Sequence, residues 1–285
     1  MQQINKLILA SMLVIFAGNS YAETTVPIKK NHPHKKHHVK KVSSSTSEPE
    51  SNVINIPETT QSTDQATKEE DQQQPLTAQF TITSNYVFRG VSQSSNLPAI
   101  QGGITYTFFT PGIYFNLWGS NINFQSPDGS QATVEFDTVV GIKNSFINDD
   151  LTYNLSFSRY NYPKSASSYN ELIGILSYKI LFVTAAYSSN AYNLHSDSHY
   201  YSVGINYNIP PEYIFGFNDV NFIASMGHYS LPLVAGSSYN DYLLQFTKKI
   251  VGAFSGAILW TGTNGKSNTG ASGDNHLIAS VIVDV

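Results

Sequence analysis

From Ala78 to Val285 the sequence runs in short segments in which apolar side chains alternate with small or polar ones. Each segment is closed by a cluster of Gly, Pro, Asn, Ser or Asp. Alternation with period two is the pattern of a β-strand with one apolar face, because successive side chains point to opposite sides of the backbone. The segment LTYNLSFS shows it most plainly, with Leu151, Tyr153, Leu155 and Phe157 on one face and Thr152, Asn154, Ser156 and Ser158 on the other. Such faces suit either a soluble antiparallel sandwich or a closed barrel in a membrane.

Twelve segments of this kind can be read. The first, AQFTITSNYVF, sets Phe80, Ile82, Tyr86 and Phe88 against Gln79, Thr81, Thr83 and Asn85. The second sets Ile100, Ile104, Tyr106 and Phe108 against Gln101, Thr105 and Thr107, and the fourth sets Val134, Phe136, Val140 and Ile142 against Glu135 and Asp137. The third lies near 113–121, the fifth is the segment quoted above, and the rest lie near 171–178, 180–188, 200–208, 219–226, 241–247, 251–260 and 276–285. The apolar stretch 172–187 also reads as a helix. Ser177, Tyr178 and Lys179 interrupt it, and it falls short of the roughly 18 apolar residues a spanning helix needs, so a tight hairpin is expected.

The connections separate barrel from sandwich, since they alternate in length. Long ones such as RGVSQSSNLPA, FQSPDGSQ, SNAYNLHSDSH and TGTNGKSNTGASGDN gather at one end, and short ones such as FTPG and KKI at the other. Outer-membrane barrels have this asymmetry, with extracellular loops and periplasmic turns. The IPPEYIFGFN connection is longer than the pattern asks. Charged residues make up 13% of the chain, against roughly 25% in an ordinary soluble domain, which also points to a non-aqueous surrounding. The expected fold is an all-β, up-and-down antiparallel transmembrane barrel of about twelve strands.

Ahead of the barrel, residues 1–22 carry Lys6, the apolar run LILASMLVIF, and small Ser20 and Ala22 at peptidase positions, the pattern of a cleaved secretory signal. Residues 23–77 show blocks without hydrophobic periodicity: basic KKNHPHKKHHVKK, a Ser/Thr tract, then a Gln-rich acidic stretch. A disordered periplasmic arm is expected, because such a segment buries too little apolar surface to offset its ordering entropy. With no cysteine, the chain has no disulfides.

Charge placement follows from parity. An Arg or Lys facing lipid at midplane costs roughly 2 to 4 kcal/mol, so charges inside strands belong on the inward face. Glu135 and Asp137 then face the lumen, as do Asn85, Glu171 and Asp241. Arg89 would share the inward parity of Asn85, with Gly90 turning the chain into the first loop and Glu135 or Asp137 as carboxylate partner. These six, Arg89, Glu135, Asp137, Asn85, Glu171 and Asp241, are the candidate pore-lining residues. Opposed charges across a narrow lumen would bias permeation of charged solutes; the competing reading is an ion pair that fills a small lumen.

SNYVFRGVSQSSNLPAIQGGITYTF, followed by GIYFNLWGSNI and VEFDTVVGI, resembles the TorF-type porins, a proteobacterial family of outer-membrane barrels. The resemblance rests on Ser84, Asn85, Tyr86, Phe88, Arg89, Gly90, Ser94, Glu135 and Asp137 and covers most of 78–285; the arm is outside it. It implies a Gram-negative outer-membrane porin with no fixed substrate.

Other chemistry is weaker. His32, His34, His37 and His38 could ligate Zn²⁺ or Ni²⁺, but the surrounding lysines oppose a cation and nothing preorganises a site, so no metal and no cofactor are expected. The basic tether could instead touch anionic cell-wall or lipid groups. His195, Asp197 and His199 in HSDSH have the residue types of a hydrolase, but no motif fixes a nucleophile beside a base, so no enzyme is expected. The expected function is passive diffusion of small hydrophilic solutes. The alternative is a non-conducting barrel displaying loops for adhesion or recognition; the loop SLPLVAG, unusually apolar for an exposed connection, gives it some support but equally suits folding back into the lumen. Expected partners are outer-membrane lipid, the solutes, and the barrel-assembly machinery during insertion; nucleic acid is not one.

Overall fold

The computed structural model describes residues 75–108, 112–125, 129–147, 150–232, 237–265 and 270–285. The signal segment, the arm with its histidines, and residues 233–236 of the SLPLVAG loop lie outside them. The expected period-two segments form the wall: β1 (Leu76–Thr83), β4 (Ala99–Thr107), β5 (Ile113–Gln125), β6 (Gln131–Phe146), β7 (Leu151–Asn161), β8 (Tyr169–Tyr178), β9 (Leu181–Ser188), β10 (Ser198–Ile209), β11 (Val220–Ser230), β12 (Tyr239–Val251), β13 (Phe254–Thr263) and β14 (His276–Asp284). Two short strands, β2 (Val87–Phe88) and β3 (Val91–Ser92), form a separate hairpin.

Each wall strand pairs antiparallel with its neighbours, and β1 closes the circle by pairing with β14, from Gln79 opposite Asp284 to Thr83 opposite Ser280. Closure leaves no unpaired edge. The stretch 172–187 is the expected hairpin, Tyr178 pairing with Leu181 and Lys179 turning at φ 53°. At the short-turn end only 210–219 is long, and it holds a 3-10 turn at Pro211–Tyr213.

Parity sorts the side chains. Phe80, Ile82, Ile104, Val140, Phe157, Val203, Phe246 and Ile258 are exposed on the outside, while Thr81, Gln101, Ser156, Ser158 and Gln245 are buried on the inside. A freely exposed array of this size would be untenable in water, whereas in hydrocarbon it is solvated. Rings gather near both ends of this belt: Tyr106 against Phe108 at 5.0 Å toward the short-turn end, Tyr242 against Trp260 at 4.9 Å toward the other.

The interior departs from expectation in one respect. Ile173, Ile223, Ile278 and Ile282 also point inward, each at most 2% exposed, so hydrophilic residues do not line the lumen alone. Twelve strands about 4.8 Å apart and tilted about 40° enclose a backbone cylinder of roughly 12 Å radius. Wall side chains fill part of that space. What remains is about the width of a two-stranded ribbon, roughly 10 Å, and β2–β3 occupies it near the long-loop end.

Candidate functional site

The segment that carries the inserted hairpin begins where β1 stops. Ser84 donates its backbone N–H to Ala279 O at 2.9 Å, and the chain then leaves the wall. Tyr86 and Phe88 therefore do not continue the outer face of β1, as their parity predicts; Tyr86 is 2% exposed inside the barrel. Asn85 makes the departure possible. Its carboxamide oxygen accepts from Ser92 Oγ at 2.7 Å, and its Nδ2 donates to Asn96 at 3.1 Å, tying the two limbs of the segment together. Ser94 Oγ accepts the Tyr86 N–H at 3.0 Å, so a backbone donor buried away from water is satisfied.

Val87 pairs with Ser92 and Phe88 with Val91, leaving Arg89 and Gly90 as a two-residue turn. Their φ values are 49° and 77°, the sign pattern of a type I′ hairpin. Gly90 is pressed against the wall at β12 and β13: a Cβ there would lie 2.6 Å from Gly262 O and 2.7 Å from Thr263 Cγ2. Phe88 packs on the cluster of Trp118, Tyr160, Tyr162 and Tyr169, and Val91 on the cluster of Ile173, Tyr200, Tyr229 and Tyr239. The hairpin thus divides the lumen and is gripped from both sides.

Arg89 does point into the lumen, but from the hairpin tip rather than from the first strand. Its carboxylate partner is Glu171 of β8, not Glu135 or Asp137. The fork is bidentate, at 2.9 and 2.8 Å, with both side chains almost wholly buried. Tyr160 donates to the same carboxylate at 3.0 Å. The guanidinium carbon lies 4.1 Å from the Tyr200 ring centroid and 4.6 Å from those of Tyr229 and Phe88. A buried charge needs such company, because desolvation is recovered only by a partner and further donors or rings.

The remaining candidates lie around this centre. Glu135 accepts from Tyr86 at 2.8 Å and Tyr162 at 3.1 Å, which fixes it against the hairpin. Asp137, two residues along β6 on the same face, is wholly buried, and neither carboxylate oxygen meets a partner within hydrogen-bond geometry. Asp241 accepts from Tyr200 at 3.3 Å through Oδ2, while Oδ1 has no partner. Asn85 faces inward but spends its side chain within its own segment. Lys143, 3% exposed, also lies on the inward face of β6 and was not among the candidates. Parity could have placed it, since it follows Asp137 by six residues. Sequence parity does not single out the inward tyrosines, because most lie at strand ends, where outward and inward rings look alike in sequence.

Residues 67–284 match the model of a family described as a bacterial protein of unknown function, Gcw_chp. The chain belongs to the Gcw_chp family. No curated protein matches this Gcw_chp member. Among solved structures it is similar to the KdgM porin, at 9% identity and a TM-score of 0.45 over 73% of this chain and 97% of that one. It is also similar to the outer membrane protein OpdK from Pseudomonas aeruginosa, at 11% identity and a TM-score of 0.37 over 76% and 68%. Nothing about the site of the Gcw_chp chain is carried over from either.

The HSDSH loop brings His199 Nε2 to 3.0 Å from Asp197, with the ring lying against Tyr187 on the outer side of the wall. A histidine so placed faces away from the lumen and its carboxylates. Among the described residues no group of His, Cys, Asp or Glu is arranged to hold a metal ion.

Proposed function

We propose that the protein is an outer-membrane channel of the TorF type, admitting small hydrophilic solutes by passive diffusion, with the segment 84–98 folded inward as its constriction. The observation that carries this reading is the opposition of two surfaces on one closed wall: an apolar belt outside, and inside it buried Glu135, Asp137, Glu171 and Asp241 around a hairpin held by polar side-chain contacts. Charges sequestered on the inner face of a barrel serve either packing or passage. Four inward carboxylates against two inward cations, Arg89 and Lys143, exceed what packing a single ion pair requires.

The close filling at hairpin level favours a second reading, a barrel that stays shut and presents its long loops outward. Recordings in planar bilayers separate the two. Wild type and a variant with 87–92 replaced by a short Gly/Ser linker are compared. A channel shows discrete conductance steps in wild type that enlarge in the variant. Silence from folded wild type, with current only after the hairpin is removed, would favour the shut barrel.

A further inference from the structure

We infer that the barrel wall carries a binding site for a guanidinium-headed organic cation, and that Arg89 is its tethered occupant. Every group that holds the guanidinium, apart from the neighbouring Phe88, belongs to the wall: the Glu171 fork from β8, the Tyr160 hydroxyl that fixes that carboxylate from β7, and the rings of Tyr200 and Tyr229, which face each other across the β10–β11 pair. A bidentate carboxylate with rings stacked beside it is a receptor for a planar, delocalised cation and suits a compact ammonium less well. The turn that delivers Arg89 does not ask for arginine. At φ 49° the first position of such a turn favours Asn, Asp or Gly, so the residue type answers to the cage.

The space continues past the occupant. A cavity of about 80 Å³ lies under the hairpin, bounded by Phe182, Thr184, Tyr200, Ser202, Leu243 and Asp241. Phe182 and Leu243 there give a short aliphatic body apolar contact, beside the Thr184 and Ser202 side chains. The unpartnered Oδ1 of Asp241, a residue 5% exposed, offers an acceptor to a second donor on the ligand. A solute with a guanidinium head and a short stem would compete with Arg89 for Glu171 and, on winning, remove the hairpin's charged anchor. A tethered competitor has an effective concentration in roughly the millimolar range, so free ligand displaces Arg89 only at comparable concentrations. The inference rests on the channel reading solely in that solute must reach the lumen.

The test uses full-length Arg89→Ala in detergent, with ethylguanidinium as the probe and sodium at equal ionic strength as the control. Titration calorimetry should show ethylguanidinium binding to Arg89→Ala, and binding at least about tenfold weaker to Arg89→Ala/Glu171→Gln, the order expected for loss of a charged hydrogen-bonded contact. In bilayers the same probe should reduce the current through Arg89→Ala and not through the double variant. If Arg89→Ala refolds poorly, the probe should raise its refolding yield, by mass action on the folded state, and leave the double variant unchanged. Equal response of both variants, or no heat and no rescue in either, overturns the site. Binding without conductance keeps the site and refutes the channel; conductance indifferent to the probe, with no heat of binding, does the reverse.

Discussion

Gly90→Ala tests the inserted hairpin with a single methyl group. The residue sits at φ 77°, where a side-chain-bearing residue costs roughly 1 to 2 kcal/mol. The added Cβ would lie 2.6 Å from Gly262 O, 2.7 Å from Thr263 Cγ2 and 2.9 Å from Asp241 Cβ. All three of these neighbours belong to the β12–β13 ladder and cannot retreat far, which adds roughly 1 to 3 kcal/mol of overpacking. Together the inserted state loses about 2 to 5 kcal/mol, so the displaced population rises by roughly 30-fold or more. Displacing the hairpin relieves the clash, and the wall strands pair without it. The expected result is a folded barrel with unchanged sheet spectrum, a greater open fraction in single-channel records, and faster proteolysis after Arg89. Unchanged gating together with unchanged proteolysis would refute the placement of Gly90 against β12 and β13.

Glu171→Gln leaves the buried Arg89 guanidinium with a neutral partner; breaking a buried pair costs roughly 3 to 5 kcal/mol, so the urea midpoint for hairpin release, read as Trp118 emission through its contact with Tyr86, should fall while wall unfolding changes less. Val140→Arg puts a cation on the lipid face of β6 and should destabilise the folded barrel by roughly 2 to 4 kcal/mol in reversible lipid-vesicle unfolding, whereas Ser156→Gln on the inward face of β7 should cost less. With four inward carboxylates against Arg89 and Lys143, reversal potentials in a potassium chloride gradient should show preference for potassium. Asp241→Asn should move the permeability ratio toward one.

Much of the wall is legible in the sequence because the membrane enforces it: every strand must show lipid an apolar face, and a one-residue slip would turn charges outward. Glu135, Asp137, Glu171 and Asp241 could be placed inside on that ground alone. Parity fails where the lipid constraint lapses. Tyr86 and Phe88 continue the alternation of β1 by accident of spacing, but the strand has ended at Thr83, and the segment beyond it obeys hairpin chemistry instead. The Arg89–Glu171 contact spans 82 residues, and no local pattern carries it. Inward Ile278 and Ile282 share their face of β14 with His276, Ser280 and Asp284, opposite Leu277, Ala279 and Val281, so parity places them inside; what the sequence does not carry is that this face packs two isoleucines among polar neighbours. The residues of SNYVFRG that carry the resemblance to a porin family are those that build the inserted turn, so the motif was visible before its role was.

The chain has two tryptophans, and they fall on opposite faces of one wall: Trp118 is 8% exposed in the lumen beside Tyr86, and Trp260 is 42% exposed on the outside. Single-tryptophan variants, Trp118→Phe and Trp260→Phe, reconstituted into bilayers of brominated phospholipid, therefore report each face separately. The structure predicts strong quenching of Trp260 emission by bromine and little or none of Trp118. Equal quenching of both, or quenching of Trp118 alone, would contradict a barrel whose apolar face meets hydrocarbon and whose lumen holds the hairpin.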